Sequence, residues 1–141
     1  MRRAADAATI GFAALMIFEA ALAAGAPLGA AAWGGADAHL ATGQRVGSAV
    51  SVLIYLAAIV IVRGRAAGRV ERRHRWGTWA LVAVFALATA ANVASDSSWE
   101  SHLMAPVALV LCGLCVVVAR TPDRDAPGEH EPRGAAVGHA H

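Results

Sequence analysis

Four segments constrain this chain more than anything else in it: Thr9 to Ala30, Val46 to Val62, Trp76 to Ser95 and Leu103 to Ala119 are each apolar around their whole circumference. A helix in a soluble domain keeps one polar face, so helices without one belong in lipid or in a very large core. About 140 residues could bury a reasonable soluble core if the helices had polar faces, and these do not. The runs hold 17 to 22 residues and so reach about 25 to 33 Å, against roughly 30 Å of hydrocarbon in a bilayer. The fourth run extends backwards, because Ser97-Ser-Trp-Glu100 reads as a capping box with Pro106 early in the helix that follows. The predicted architecture is all-α: a four-transmembrane-helix bundle over residues 1–119, with helices at about 9–30, 46–62, 76–95 and 98–119.

Composition agrees with this reading. Hydrophobic residues make up 57% of the chain and charged residues only 16%, against about a quarter charged in a typical globular domain. Among all the charged residues, only Glu19 lies deep inside an apolar run. This distribution excludes a disordered chain and a nucleic-acid-binding domain.

Arginine placement predicts the orientation. All 12 basic residues are Arg, and 11 of them precede helix one, lie between helices two and three, or follow helix four. Only Arg45 falls on the opposite side, with Asp37, Asp96 and Glu100. The positive-inside rule then places both termini and the middle loop in the cytoplasm, in a multi-pass protein of the bacterial inner membrane. Trp33 and Trp99 at the outer helix ends, and Trp76 and Trp79 at an inner one, fit interfacial belts. Arg2, Arg3, the apolar run and Ala24-Gly25-Ala26 also imitate a cleavable signal, but Glu19 within the run and Pro27 just after the would-be site argue for retention of helix one. Residues 120–141, with Pro122, Pro127 and Pro132 and no apolar period, are expected to be a disordered cytoplasmic tail. His130, His139 and His141 in that tail have no metal-ligand spacing, and no motif calls for a metal or cofactor.

Four features could carry function. Glu19, about ten residues into helix one, is expected near mid-membrane, where a carboxylate needs a partner and marks a functional site or an inward packing residue. Gly25, Pro27, Gly29, Trp33, Gly34 and Gly35 read as an outer cap that ends or kinks helix one, folded or a simple turn. A polar stripe on helix two, Arg45, Ser48, Ser51 and Tyr55, shares one face, and helix three offers Thr89, Asn92 and Ser95 or Asp96 at similar spacing. Polar groups in a membrane bundle turn inward, so Glu19, Arg45, Ser48, Ser51, Tyr55 and Asn92 are predicted to converge as a binding site or as interhelical glue, with a contact between Glu19 and Arg45. Last, Cys112-Gly-Leu-Cys115 has redox spacing but lies mid-helix, where thiols behave as small hydrophobes, and there is no second cysteine pair for exchange.

The Gly25-Ala-Pro-Leu-Gly29 and Trp33-Gly-Gly35 pairing, with Arg45 and Ser48 opening helix two, Asn92 and Ser95 closing helix three and Met104-Ala-Pro-Val107 opening helix four, resembles a family of small four-helix bacterial integral membrane proteins of uncharacterised function. The resemblance implies fold and location and transfers no catalytic residue. Helix number and the lone Glu19 are also similar to small proton-coupled multidrug transporters, although the arginine asymmetry and the Trp-Gly-Gly element depart from them.

No catalytic residue or enzymatic constellation is legible. The expected role is binding, assembly or small-molecule handling, with the lipid bilayer and a homodimer or another membrane protein as partners and no nucleic acid. The alternatives are a proton-coupled small-molecule transporter using Glu19, and a membrane enzyme using an outer-face polar site of His39, His102, Asp37, Asp96 and Glu100.

Overall fold

The computed structural model describes residues 2–33, 37–68 and 72–121. Gly34, Gly35 and the expected tail beyond Thr121, with His130, His139 and His141, lie outside the described residues. Within them the chain is all-helical: α1 (Arg2–Ala24), α2 (Thr42–Ala66), α3 (Arg72–Val93) and α4 (Ala105–Ala119), with a 3₁₀ turn at Gly29–Ala31 and a π turn at Glu100–Met104 leading into α4. Four helices are long and apolar enough to cross a membrane, with α4 and its π turn counted together. Their surfaces suit lipid: Ile17 on α1, Leu53 on α2, Leu87 on α3 and Val110 on α4 are all exposed large apolar side chains.

The helices outrun the apolar segments. The Ala-rich stretch after Arg2 is good helix former, so α1 starts at Arg2 instead of near Thr9. It also stops at Ala24, not Ala30. Gly25 takes φ +97°, its N–H donates to the Leu22 carbonyl at 2.9 Å, and Ala26 N–H donates back to the Ala21 carbonyl at 3.0 Å. This is the Schellman closure, and Pro27 then forbids continuation. Glu19 consequently sits about 8 Å from the C-terminal end of α1 and about 25 Å from its start, well away from mid-helix. At the other end of the bundle, α2 runs on to Ala66 and carries Arg63 and Arg65 as helical residues.

The expected capping box at Ser97 does not form. Ser97 N–H donates to Ser95 Oγ at 3.2 Å, and the Ser95 hydroxyl donates to the Glu100 carboxylate. Pro106 explains the local geometry, since it has no N–H and its ring crowds the carbonyl four residues back. The wider π turn relieves this, with Ala105 N–H reaching the Glu100 carbonyl.

Around the bundle, α1 packs mainly on α2 and α3 on α4, and α1–α4 and α2–α3 contacts close the ring. At its centre Phe12, Tyr55 and Phe85 cluster, with ring centroids 5.2 Å apart for Phe12 and Phe85 and 6.4 Å for the other two pairs. Most hydroxyls on the helices bond to their own backbone. Thr9, Thr78 and Thr89 each donate to the carbonyl four residues back at 2.7 Å, and Ser51 does so to Gly47 at 3.2 Å. At the arginine-rich end, Asp6 and Arg63 pair at 2.6 Å, and the buried Arg65 donates to the Thr121 carbonyl at 2.7 Å.

Candidate functional site

Between the aromatic centre and the Trp33 end of the bundle lies a cavity of about 430 Å³. Every helix contributes to it. Glu19 comes from α1, Tyr55 from α2, Phe85 and Asn92 from α3, Glu100 from the π turn, and Trp33 from the segment joining α1 to α2. The volume falls within the range of small-molecule sites, and the mixture of apolar walls with a few converging polar groups is their usual composition.

Trp33 is held in place by three features. Its backbone adopts φ +54°, a left-handed conformation uncommon outside glycine and costly to hold. Its ring lies over Gly47, where an added Cβ would come within 2.5 Å of the indole. Its Nε1–H donates to the buried Ser48 hydroxyl at 3.2 Å. Ser48 also lies beside the Glu19 carboxyl group. Three elements therefore meet here, through the Trp33 indole, the Ser48 hydroxyl and the Glu19 carboxyl group. The second carboxylate oxygen, Glu19 Oε2, is buried without a hydrogen-bond partner.

The segment before α2 is a folded cap. Gly29 N–H donates to the Ala38 carbonyl at 2.9 Å, and a side chain at Gly29 would collide with the Asp37 and Ala38 carbonyls. Arg45 serves the same cap from α2. Its Nε donates to the Ala23 carbonyl at 3.0 Å, and its guanidinium lies against Gly25. Ala23 is in the last turn of α1, where carbonyls lack intrahelical donors and the helix dipole favours a cation. The predicted Glu19–Arg45 contact does not form: Arg45 caps α1, and Ser48 stands beside Glu19.

The structure brings Glu19, Tyr55 and Asn92 to the cavity wall, with Ser48 behind Glu19. Ser51 bonds to its own helix, and Arg45 faces the end of α1. Gly25 and Pro27 form the turn after α1, and Gly29 anchors the loop. Sequence reasoning gave Trp33 to the outer cap and an interfacial belt, and Glu100 to a helix cap and the outer-face polar site; it did not place them on the cavity that both line. Their signal was weak, because it lay in the folding of a loop and in the wider turn before Pro106, neither of which has a period.

The outer polar residues do not assemble a metal centre, since no group of three His, Cys, Asp or Glu side chains among the described residues could hold an ion. His102 Nδ1 lies 3.1 Å from the Ser98 carbonyl and 3.0 Å from Ser101 Oγ, within its own turn. Cys112 donates to the Val82 carbonyl across the α3–α4 interface at 3.5 Å, and Cys115 is buried; both thiols are free. Comparison of the chain with protein-family models, with curated proteins and with solved structures finds no match.

Proposed function

We propose that this protein is a membrane-embedded small-molecule-binding bundle, whose site is the cavity beneath the Trp33 cap. It crosses the bacterial inner membrane with both termini and the arginine-rich α2–α3 connection on the cytoplasmic side, and it works as a homodimer or with another membrane protein. The observation that carries the reading is convergence: three helices, the π turn before α4 and a folded loop each place a polar or aromatic group on one apolar-walled space of about 430 Å³. Structural glue alone would call for paired groups, whereas Glu19 Oε2 is left without a partner beside this space. Native mass spectrometry of the protein taken from its own membrane tests the reading. The wild type should carry a non-covalent small-molecule adduct that Ala88→Phe, which fills the cavity wall, does not retain. A bare wild type, or equal adducts on both, counts against it.

The unpartnered Glu19 oxygen also favours a second reading, in which the cavity is a station in proton-coupled transport. In that case Glu19→Gln should still bind the adduct but lose its movement across reconstituted vesicles.

A further inference from the structure

The arginine-rich end of the bundle holds a second pocket, of about 360 Å³, between the start of α1 and the end of α2. Arg2 and Asp6 line it from α1, and Arg63, Ala66 and Ala67 line it from the last turn of α2 and the residue after it. Two guanidinium groups stand against one carboxylate, so the pocket keeps a positive excess. Asp6 engages Arg63 through a single nitrogen, Nη1, at 2.6 Å, which leaves the rest of the guanidinium fork with donors to offer. Arg2 has no ion-pair partner among the described residues.

Helical spacing joins this pocket to an apolar track. Arg2, Asp6, Ile10, Ala14 and Ile17 follow one another at intervals of three or four along α1, and all are exposed. Arg63, Val60, Leu56 and Leu53 do the same along α2. The Asp6–Arg63 pair brings the polar ends of the two stripes together, and α1 packs mainly on α2, so both apolar stripes lead away from the pocket along the same helix pair.

We infer that this pocket is a headgroup site for an anionic phospholipid, with the phosphodiester on Arg2 and Arg63 and the acyl chains along the two apolar stripes. Arginine forks match phosphate oxygens in geometry as well as in charge. The pocket also lies at the ends of two helices that are long and apolar enough to cross a membrane, the level at which headgroups sit. A free phosphate would use the guanidinium groups alone and gain nothing from the exposed track beside them. A zwitterionic lipid carries its own ammonium and so leaves the positive excess of the pocket unanswered. The site is at the opposite end of the bundle from the Trp33 cavity and does not depend on that cavity having an occupant.

The test compares two lipids that differ in headgroup charge. Full-length protein in dodecyl maltoside micelles is titrated with phosphatidylglycerol and separately with phosphatidylethanolamine of the same acyl chains, and the first bound lipid is measured by native mass spectrometry. Phosphatidylglycerol should bind about fivefold or more tightly than phosphatidylethanolamine, and Arg2→Gln and Arg63→Gln should each weaken it by about threefold to fivefold. Arg75→Gln removes an exposed arginine on α3, outside the pocket, and should change binding by less than about twofold. Both pocket arginines are exposed, so the Gln variants should fold, and their lipid-free unfolding midpoints check this. Equal binding of the two lipids would overturn the inference. So would an equal loss in Arg75→Gln, which marks diffuse attraction to the whole arginine-rich end, or a preference that survives both pocket substitutions, which places the lipid elsewhere. Glycerophosphoglycerol, the headgroup without its chains, should not displace the lipid at about tenfold excess, because the chains supply much of the binding. Displacement at equal concentration would identify a soluble phosphate as the ligand and overturn the lipid assignment.

Discussion

Trp33 and Ser48 meet edge to hydroxyl: the indole N–H of the loop donates at 3.2 Å to a serine on α2 that is closed off from solvent. The contact depends on Gly47, which leaves room for the ring. Gly47→Leu should therefore unseat Trp33. In a background where Trp76, Trp79 and Trp99 are Phe, the single remaining Trp emission should shift to the red, and the unfolding midpoint should fall.

Ser48→Ala should be destabilising, because it strips the acceptor from the Trp33 indole and removes a polar neighbour of Glu19. The expected loss is about 1–3 kcal/mol, the cost of stranded polar groups. Trp33→Phe combined with Ser48→Ala should cost less than the sum of the two changes, with a coupling of about 0.5 kcal/mol or more, read by unfolding in mixed micelles.

Arg45 stabilises the end of α1, not the charge of Glu19. Arg45→Ala should cost about 1–2 kcal/mol, in the range of other charge-to-helix-terminus contacts. Arg45→Ala and Glu19→Gln should add within about 0.5 kcal/mol in a double-mutant cycle. A larger coupling would mean that the two side chains meet after all.

The Asp6–Arg63 pair is 2.6 Å long, yet each side chain is 57% exposed. Solvent screening limits such a pair, so Asp6→Asn should change stability by less than about 1 kcal/mol, and less still in high salt. Thermal unfolding at two salt concentrations checks this.

Cys112 needs only a weak donor toward the Val82 carbonyl. Cys112→Ser supplies a better one and should leave stability within about 1 kcal/mol of the wild type. Loss of folding on this change would point to thiol chemistry instead of packing.

The existence of the four helices was legible because apolarity all round is a strong signal that lipid does not disturb. Their ends were not, because the ends are set by contacts the apolar count ignores. Alanines after Arg2 lengthen α1 at one end, and the Gly25 turn with Pro27 shortens it at the other. Glu19, Ser48, Tyr55 and Asn92 stood out as polar residues within apolar runs. Trp33 and Glu100 were named only as parts of the outer cap and the outer-face polar site, since their placement on the cavity depends on how a loop folds back and on a π turn ahead of Pro106. Arg45 was legible as important and misassigned in its partner, because charge arithmetic favours a carboxylate where the structure provides the bare carbonyl of Ala23.

A serine has one proton to give. At Ser48 the oxygen already receives the Trp33 N–H, so its own hydrogen is left for another acceptor, and the Glu19 carboxyl group lies nearby. Through Ser48 the cap and the acid share a neighbour, so a change at Glu19 is expected to alter how firmly Trp33 is seated. By reciprocity, any such coupling is equal in both directions, so lifting Trp33 from Gly47 should change the free energy of neutralising Glu19 by the same amount.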